Sequence, residues 1–153
     1  MSEPPVELRE TIEADLQTLY EHQADPEGSA MAAFPSRDLP AFLAHQAKIQ
    51  ADPAVISRTI VADGEIVGSI GSWDADGERD VGYWIGRRHW GKGYATAGLR
   101  AFLEVERSRP LVAHVAEHNI GSRRVLEKCG FVFDHAAQEE DVIEHVMVLP
   151  AEV

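Results

Sequence analysis

The sequence has few of the features that indicate secretion or a location in a membrane. Cys129 is the single cysteine among 153 residues, which excludes an internal disulfide and fits a reducing compartment. No apolar run approaches the roughly 20 residues that are needed to cross a bilayer. The first residues also lack the basic and then apolar pattern of a signal peptide. We therefore expect a cytoplasmic protein with no membrane partner.

Positive charge is scarce as well. The chain has 14 Lys and Arg residues against 26 Asp and Glu residues, which gives a formal net charge of −12. Such a surface repels the phosphate backbone of nucleic acids, so we expect no nucleic-acid partner. It attracts a cationic partner, such as an amine or a basic peptide end. The alternative is that the acidity only keeps the protein soluble.

Length and apolar spacing predict one mixed α/β domain over residues 1–153. The predicted strands, in which apolar residues alternate or form short buried runs, cover residues 6–9, 56–62, 65–73, 79–85, 111–115, 131–133 and 142–149. The predicted helices, in which apolar residues recur every three or four positions, cover residues 11–22, 39–51, 94–107 and 119–129. A stretch rich in Pro, Gly, Ala and Ser, residues 23–40, is predicted as a long loop with room for one helical turn near Met31. This order predicts about four helices packed on a seven-strand sheet.

A glycine-rich turn follows the predicted strand 79–85 and opens the next helix. Gly91 and Gly93 let the backbone approach a ligand closely, and the first amides of a helix have no partner inside it. Such a turn is a ready anion site, and Arg87, Arg88 and Lys92 add positive charge to it. Gly93 stands where a P-loop requires Ser or Thr, which excludes an NTPase loop. A glycine-rich turn without a ligand is the alternative.

Two motifs resemble the signatures of the GNAT acetyltransferase superfamily. The first is R-x-x-G-x-G over residues 88–93, which resembles the pyrophosphate loop of that superfamily. The second is N-x-x-S-x-x-V-L-E-K-x-G-F, which begins at Asn119 and ends at Phe131. The closest resemblance is to the branch that acetylates the N-termini of ribosomal proteins, in which a strand like 81–85 precedes the loop.

This resemblance implies an acetyl-CoA-dependent N-acetyltransferase that transfers the acetyl group directly to a primary amine. It implies a mostly antiparallel, splayed sheet in which strands 79–85 and 111–115 diverge around the pantetheine arm. The acceptor would be a protein or peptide N-terminus or a small amine, and we count a homodimer among the expected assemblies. The residues expected to bind the cofactor are Trp84, Ile85, Arg87, Arg88, His89, Trp90, Gly91, Lys92, Gly93, Tyr94, Ala95, Asn119 and Ser122.

Ser122 and Asp80 are the candidate catalytic residues. Ser122 lies on the buried stripe of its predicted helix, so its hydroxyl needs a partner. That partner is either a carbonyl one turn earlier or the departing thiolate of coenzyme A. Asp80 begins the strand that leads into the loop and is the candidate base. His114, Glu117 and a chain of water molecules are its rivals.

Three further expectations concern other sites. The seven histidines are scattered and there is one cysteine, so the sequence predicts no metal site. The loop 23–40 and a predicted turn at 136–141 are expected to wall the acceptor site, with Met31 and Phe34 as apolar contacts. Two other functions stay open, namely a module that binds acyl-CoA without catalysis and a transferase for a different acyl group.

Overall fold

The computed structural model describes residues 3–33 and 36–151. Its strands are β1 (Glu7–Glu10), β2 (Ile56–Ala62), β3 (Glu65–Ala75), β4 (Glu78–Ile85), β5 (Leu111–Ala116), β6 (Val132–Glu139) and β7 (Val142–Leu149). Within the described ranges the helices are α1 (Leu16–Ala24), α2 (Pro26–Ala32), α3 (Leu39–Ala51), α4 (Tyr94–Phe102) and α5 (Ile120–Lys128). The prediction of a mixed α/β domain with seven strands is confirmed, with five helices in place of about four.

The seven strands form a single sheet in the order β1-β2-β3-β4-β5-β7-β6. Neighbouring strands are antiparallel except for β4 and β5, which are parallel. Strands β2, β3 and β4, all three predicted from the sequence, form an antiparallel meander. Its two turns contain Asp63-Gly64 and Asp76-Gly77, all with positive φ, which is the backbone shape that two-residue hairpins require.

Helices cover both faces of the sheet, and β4 shows which helices lie on which face. The Tyr83 side chain reaches α5, whereas the indole of Trp84 donates to the carbonyl of His22 in α1. Because successive strand residues point to opposite faces, α5 and α1 lie on opposite sides of the sheet. A core of buried aliphatic and aromatic side chains fills the layer between α4, α5 and the sheet, with Leu99, Phe102 and Leu111 completely buried.

The predicted loop 23–40 is wrong over residues 26–32, which form α2. Asp25 caps this helix by accepting a hydrogen bond from the amide of Gly28 at 3.0 Å, and Pro26 occupies the first turn, where proline is favourable. Phe34, one of the two expected apolar contacts, lies outside the described residues.

Two other boundaries differ from the prediction. Helix α4 ends at Phe102 instead of 107, because the chain turns there and brings Glu106 within 2.7 Å of the Arg79 guanidinium on β4. Strand β6 continues to Glu139 because its pairing with β7 persists as far as Val142. The predicted turn at 136–141 is therefore wrong over most of its length. No helix in the described part of the chain is long and apolar enough to cross a membrane.

Candidate functional site

A gap separates β4 from β5 over most of their lengths. In the described chain the two strands share one register pair, Asp80 with Val112, which lies near the start of both. Beyond this pair they diverge towards their C-terminal ends. The loop that leads to α4 follows β4, and the start of α5 follows β5. The two sequence motifs therefore meet at the open end of the gap between β4 and β5, hereafter the β4–β5 gap.

The loop at this open end presents unpaired backbone amides. A 3₁₀ turn, Arg87–His89, leads into Gly91 and Gly93, which have φ of 74° and 85°. The amides of His89 and Trp90 donate within the turn to the carbonyls of Gly86 and Arg87. Within the described residues, 3–33 and 36–151, no hydrogen-bond acceptor lies opposite the amides of residues 91–95. The amides available to an anion are thus those of 91–95, whereas the amides of His89 and Trp90 are bonded within the turn.

Ser122 lies on α5 beside the β4–β5 gap, and its hydroxyl has a partner that we did not predict. The Oγ atom is 2.5 Å from the phenolic oxygen of Tyr83, which comes from β4. Burial raises the pKa of Tyr83 to about 12, so this phenol stays protonated at neutral pH. Asn119 caps α5 by accepting a hydrogen bond from the amide of Ser122 at 3.2 Å.

Tyr83 could have been found from the sequence. It alternates with Val81 and Ile85 in β4, and these three side chains face the same core. A tyrosine at a core-facing position requires a partner for its hydroxyl. The prediction considered a carbonyl one turn earlier or the departing thiolate as the partner of Ser122 and did not consider a side chain from β4.

A cluster of acidic side chains surrounds His114 at the closed end of the gap. Its Nδ1 is 2.7 Å from Oε1 of Glu144, and its Nε2 is 2.8 Å from Oε2 of Glu78 and 3.6 Å from Oδ2 of Asp80. The structure thus brings together two of the expected candidates for the base, Asp80 and His114. Glu117 lies elsewhere, with its carboxylate 3.1 Å from His145.

Protonation in this cluster departs from the ordinary values. Burial and the neighbouring Glu78 raise the pKa of Asp80 to about 7. Burial opposes the charged form of His114, but its bonds to Glu78 and Glu144 raise its pKa. The Oδ1 atom of Asp80 is buried and has no hydrogen-bond partner among the described residues. An acceptor atom of this kind is available to a proton or a cation.

A match to the family described as Acetyltransferase (GNAT) domain extends over residues 6–132. The chain belongs to this GNAT family. The uncharacterized N-acetyltransferase YjdG of Bacillus subtilis (strain 168) is 33% identical over an alignment of 82 residues, with a coverage of 49% of this chain and 49% of that protein. The chain therefore spans about half the length of this curated relative.

Solved structures share the GNAT fold of this chain. Spermidine N-acetyltransferase from Vibrio cholerae, in complex with CoA and spermine, is 18% identical with a TM-score of 0.82 over 94% of both chains. Aminoglycoside acetyltransferase AAC(6')-Ib, in complex with coenzyme A and kanamycin, is 23% identical with a TM-score of 0.75, again over 94% of both. These matches confirm the splayed, mostly antiparallel sheet. They are not ribosomal-protein acetyltransferases, so the resemblance to that branch stays a prediction.

The positive charge expected at the GNAT loop is smaller than the sequence indicates. Arg87 pairs with Asp25 at 3.0 Å and with Glu27 at 3.1 Å, which ties the loop to the start of α2. Arg88 pairs with Glu65 at 2.6 Å. Lys92 makes no ion pair within the described part of the chain. Among the three expected cations, Lys92 is therefore the one whose charge no described carboxylate offsets.

The remaining expected cofactor residues shape the GNAT loop. The buried imidazole of His89 is 3.1 Å from Glu65 and packs against Tyr94. The indole of Trp90 donates to the carbonyl of Ile85 at 2.9 Å, which folds the loop back on the end of β4. Ala95 lies in the first turn of α4, next to the available amides. The contacts of these residues and of Trp84 with a cofactor stay predictions.

Helix α2 lies beside the β4–β5 gap, where we expected a wall of the acceptor site. His118, just after β5, donates from Nε2 to the carbonyl of Ala30 at 2.9 Å. Met31 is partly exposed on this helix.

Cys129 directly follows α5 and is buried, and this burial raises the pKa of its thiol. A buried, protonated thiol is a poor nucleophile.

Proposed function

We propose that this protein transfers an acetyl group from acetyl-CoA directly to a primary amine. The observation that carries the proposal is the β4–β5 gap, which ends at the available amides of residues 91–95. In the proposed complex these amides and the N-terminus of α4 bind the pyrophosphate, since helix N-termini attract anions. The pantetheine arm enters the gap from this end, and its thioester lies beside the last residues of β4.

Asp80 is the proposed base. It lies where the two strands begin to separate, it is 7% exposed, and one of its carboxylate oxygens has no partner among the described residues. The ammonium of the acceptor gives one proton to Asp80, and its nitrogen then attacks the thioester carbonyl. Backbone amides near Trp84 and Ile85 would polarise this carbonyl and stabilise the negative charge that develops on its oxygen.

Ser122 is the proposed acid. As the C–S bond breaks, the thiolate takes the proton of the Ser122 hydroxyl, and Tyr83 supports this hydroxyl at 2.5 Å. The second proton of the attacking nitrogen replaces the one that Ser122 has given. The products are the amide, the thiol of coenzyme A and one proton released to water. No acyl-enzyme is formed, which agrees with the buried position of Cys129.

For the acceptor we propose primary amines, with the N-terminus of a protein or peptide as the first class to be tested. The resemblance of strand 81–85 and its loop to the ribosomal-protein branch supports this class. Small amines are the second class, and the amine-binding structures of the spermidine and aminoglycoside acetyltransferases support it through their shared fold.

The experiment combines calorimetry with an assay of thiol release. Acetyl-CoA is titrated into the protein, and CoA release is then measured with a panel of peptides, spermidine and kanamycin. We expect saturable acetyl-CoA binding and amine-dependent release. Binding without release on any amine would favour the non-catalytic module, and release from succinyl-CoA alone would favour a different acyl group.

We also propose that the protein acts in the cytoplasm, which the single buried cysteine supports. A homodimer draws support from β6, an edge strand on which Val132 and Phe133 are 55% and 54% exposed. Cell fractionation tests the compartment, and light scattering at several concentrations tests the assembly.

A further inference from the structure

The side chains around His114 form a cluster on three neighbouring strands. Glu78 and Asp80 lie two residues apart on β4 and therefore point to the same face of the sheet. His114 lies on β5, and Glu144 lies on β7, which pairs with β5. A site built on strands is held more precisely than one built on loops. The side chain of Asp80 is 10% exposed, whereas those of Glu78 and His114 are partly open to solvent.

The cluster carries more negative charge than its surroundings offset. In the described ranges, His114 is the partner of all three carboxylates, and no Lys or Arg forms an ion pair with any of them. Three carboxylates and one imidazolium leave a net charge of about −2 when every acid is ionised. The buried Oδ1 of Asp80, which lacks a partner among the described residues, adds an unsatisfied acceptor. A buried carboxylate with an oxygen that lacks a donor is unfavourable, and a cation bound to the same carboxylate offsets its charge.

We propose that Glu78, Asp80 and His114 bind a divalent transition-metal ion, for which zinc is the best fit. One atom from each of these residues, a carboxylate oxygen or an imidazole nitrogen, lies within 4.8 Å of the other two. Ligand atoms of a tetrahedral zinc ion at about 2.1 Å are separated by about 3.4 Å. The separations of 2.8 Å and 3.6 Å from Nε2 of His114 to Glu78 and Asp80 bracket that value, so the three ligand atoms need only small shifts to reach a common ion.

The donor set selects the class of metal. One imidazole nitrogen and two carboxylate oxygens suit zinc, cobalt or nickel, whereas magnesium and calcium prefer oxygen alone. In the metal-bound form His114 is neutral, binds through Nε2 and donates its Nδ1 hydrogen to Glu144. A carboxylate behind a metal-bound histidine fixes the ring and strengthens the ligand. Glu144 thus has a positioning role in the proposed site.

Metal binding has a consequence for catalysis, and this consequence alone rests on the proposed function. A metal ion on Asp80 occupies the carboxylate that accepts the proton of the amine. The acceptor ammonium and the metal ion are both cations and compete for the same oxygens. We therefore expect micromolar zinc to inhibit acetyl transfer competitively with the amine, while the affinity for CoA at the other end of the gap is unchanged.

The test measures metal binding on the protein without CoA or amine. Zinc from a chelator-buffered series is titrated by calorimetry, and cobalt is titrated by visible absorption, which reports tetrahedral coordination. We expect one site per chain. Glu78→Gln should weaken binding roughly tenfold or more, and His114→Gln should remove the cobalt absorption.

Two matched controls separate this site from unspecific binding. Glu10→Gln removes an exposed strand carboxylate on β1, and His45→Gln removes a histidine on α3. Both should leave the affinity unchanged, and melting curves verify that every variant folds. The proposal is overturned by the absence of a stoichiometric site in the wild type, or by equal losses in the control and cluster variants. Since no turnover is measured, neither result depends on whether acetyl transfer occurs.

Discussion

The hydroxyl groups of Ser122 and Tyr83 meet between α5 and the sheet, and the proposed role of Ser122 as the acid depends on this pair. The serine comes from α5 and the tyrosine from β4, two elements that lie 39 positions apart at these residues. A hydroxyl held in this way has a fixed orientation. The same geometry would also suit a purely structural bond, so kinetics must separate the two roles.

Ser122→Ala should lower kcat about tenfold or more while the Kd for CoA changes little, because general acids act mainly in the transition state. Tyr83→Phe should give a smaller loss, since the serine hydroxyl remains. Single-turnover kinetics and calorimetry measure the two quantities. An unchanged kcat in a folded Ser122→Ala variant would leave the serine with a structural role only.

At the level of elements, the sequence predicted strands β2, β3 and β4 and the order of strand, loop and helix around Gly91 and Gly93, because each depends on local chemistry. Helix α2 was missed because its Ala, Gly and Ser content resembles a loop, although Asp25 and Pro26 carry a helix start signal. The Glu78–Asp80–His114 cluster could not be predicted. It depends on the parallel register of Asp80 with Val112, which periodicity does not encode.

The loop before α4 provides the second prediction. Gly91→Glu should abolish CoA binding, because a carboxylate would lie at the proposed pyrophosphate position. Gly91→Gln has the same size without the charge and should lose less affinity. Gly77→Glu is the matched control, because Gly77 also has positive φ, 82°, and open space around an added side chain. Calorimetry with CoA measures all three. Equal affinity of the folded Gly91→Glu variant and the wild type would contradict the loop assignment.

The turn after α4 depends on a buried ion pair, which gives a third prediction. Burial opposes ionisation of Glu106, but hydrogen bonds from Ser72, Arg79 and Ser108 lower its pKa from 4.5 to about 2. A carboxylate whose folded pKa is depressed stabilises the fold above its unfolded pKa and loses that contribution as the pH falls. A shift of this size corresponds to about 3 kcal/mol as an upper value.

Glu106→Gln should therefore lower the free energy of unfolding at pH 7, and the difference from the wild type should shrink between about pH 4.5 and pH 2. Urea unfolding at several pH values measures this difference. Glu104→Gln, which removes an exposed carboxylate paired with Arg107, is the control. A difference that does not vary with pH would show that Glu106 stabilises the turn without its charge.

At the scale of the whole molecule, the net charge of −12 favours cationic acceptors over neutral or acidic ones. We expect kcat/KM for cationic amines to fall as salt is added, since exposed charges are screened over about 10 Å at 0.1 M. The measurement uses a matched set of acceptors at two ionic strengths. A preference for carboxylate-rich acceptors, or a rate that rises with salt for cationic ones, would contradict electrostatic steering.

The single register pair between β4 and β5 makes the middle of the sheet its most weakly hydrogen-bonded part. One half-sheet contains β1 to β4 and the other contains β5 to β7, and few backbone bonds connect them. In the free protein, β4 and β5 should therefore separate more readily than either half-sheet unfolds. A cofactor bound in the β4–β5 gap would contact both half-sheets and so connect them. Hydrogen–deuterium exchange tests this, since protection in the second half of β4 and in β5 should rise on CoA binding and that of β2 and β3 should not.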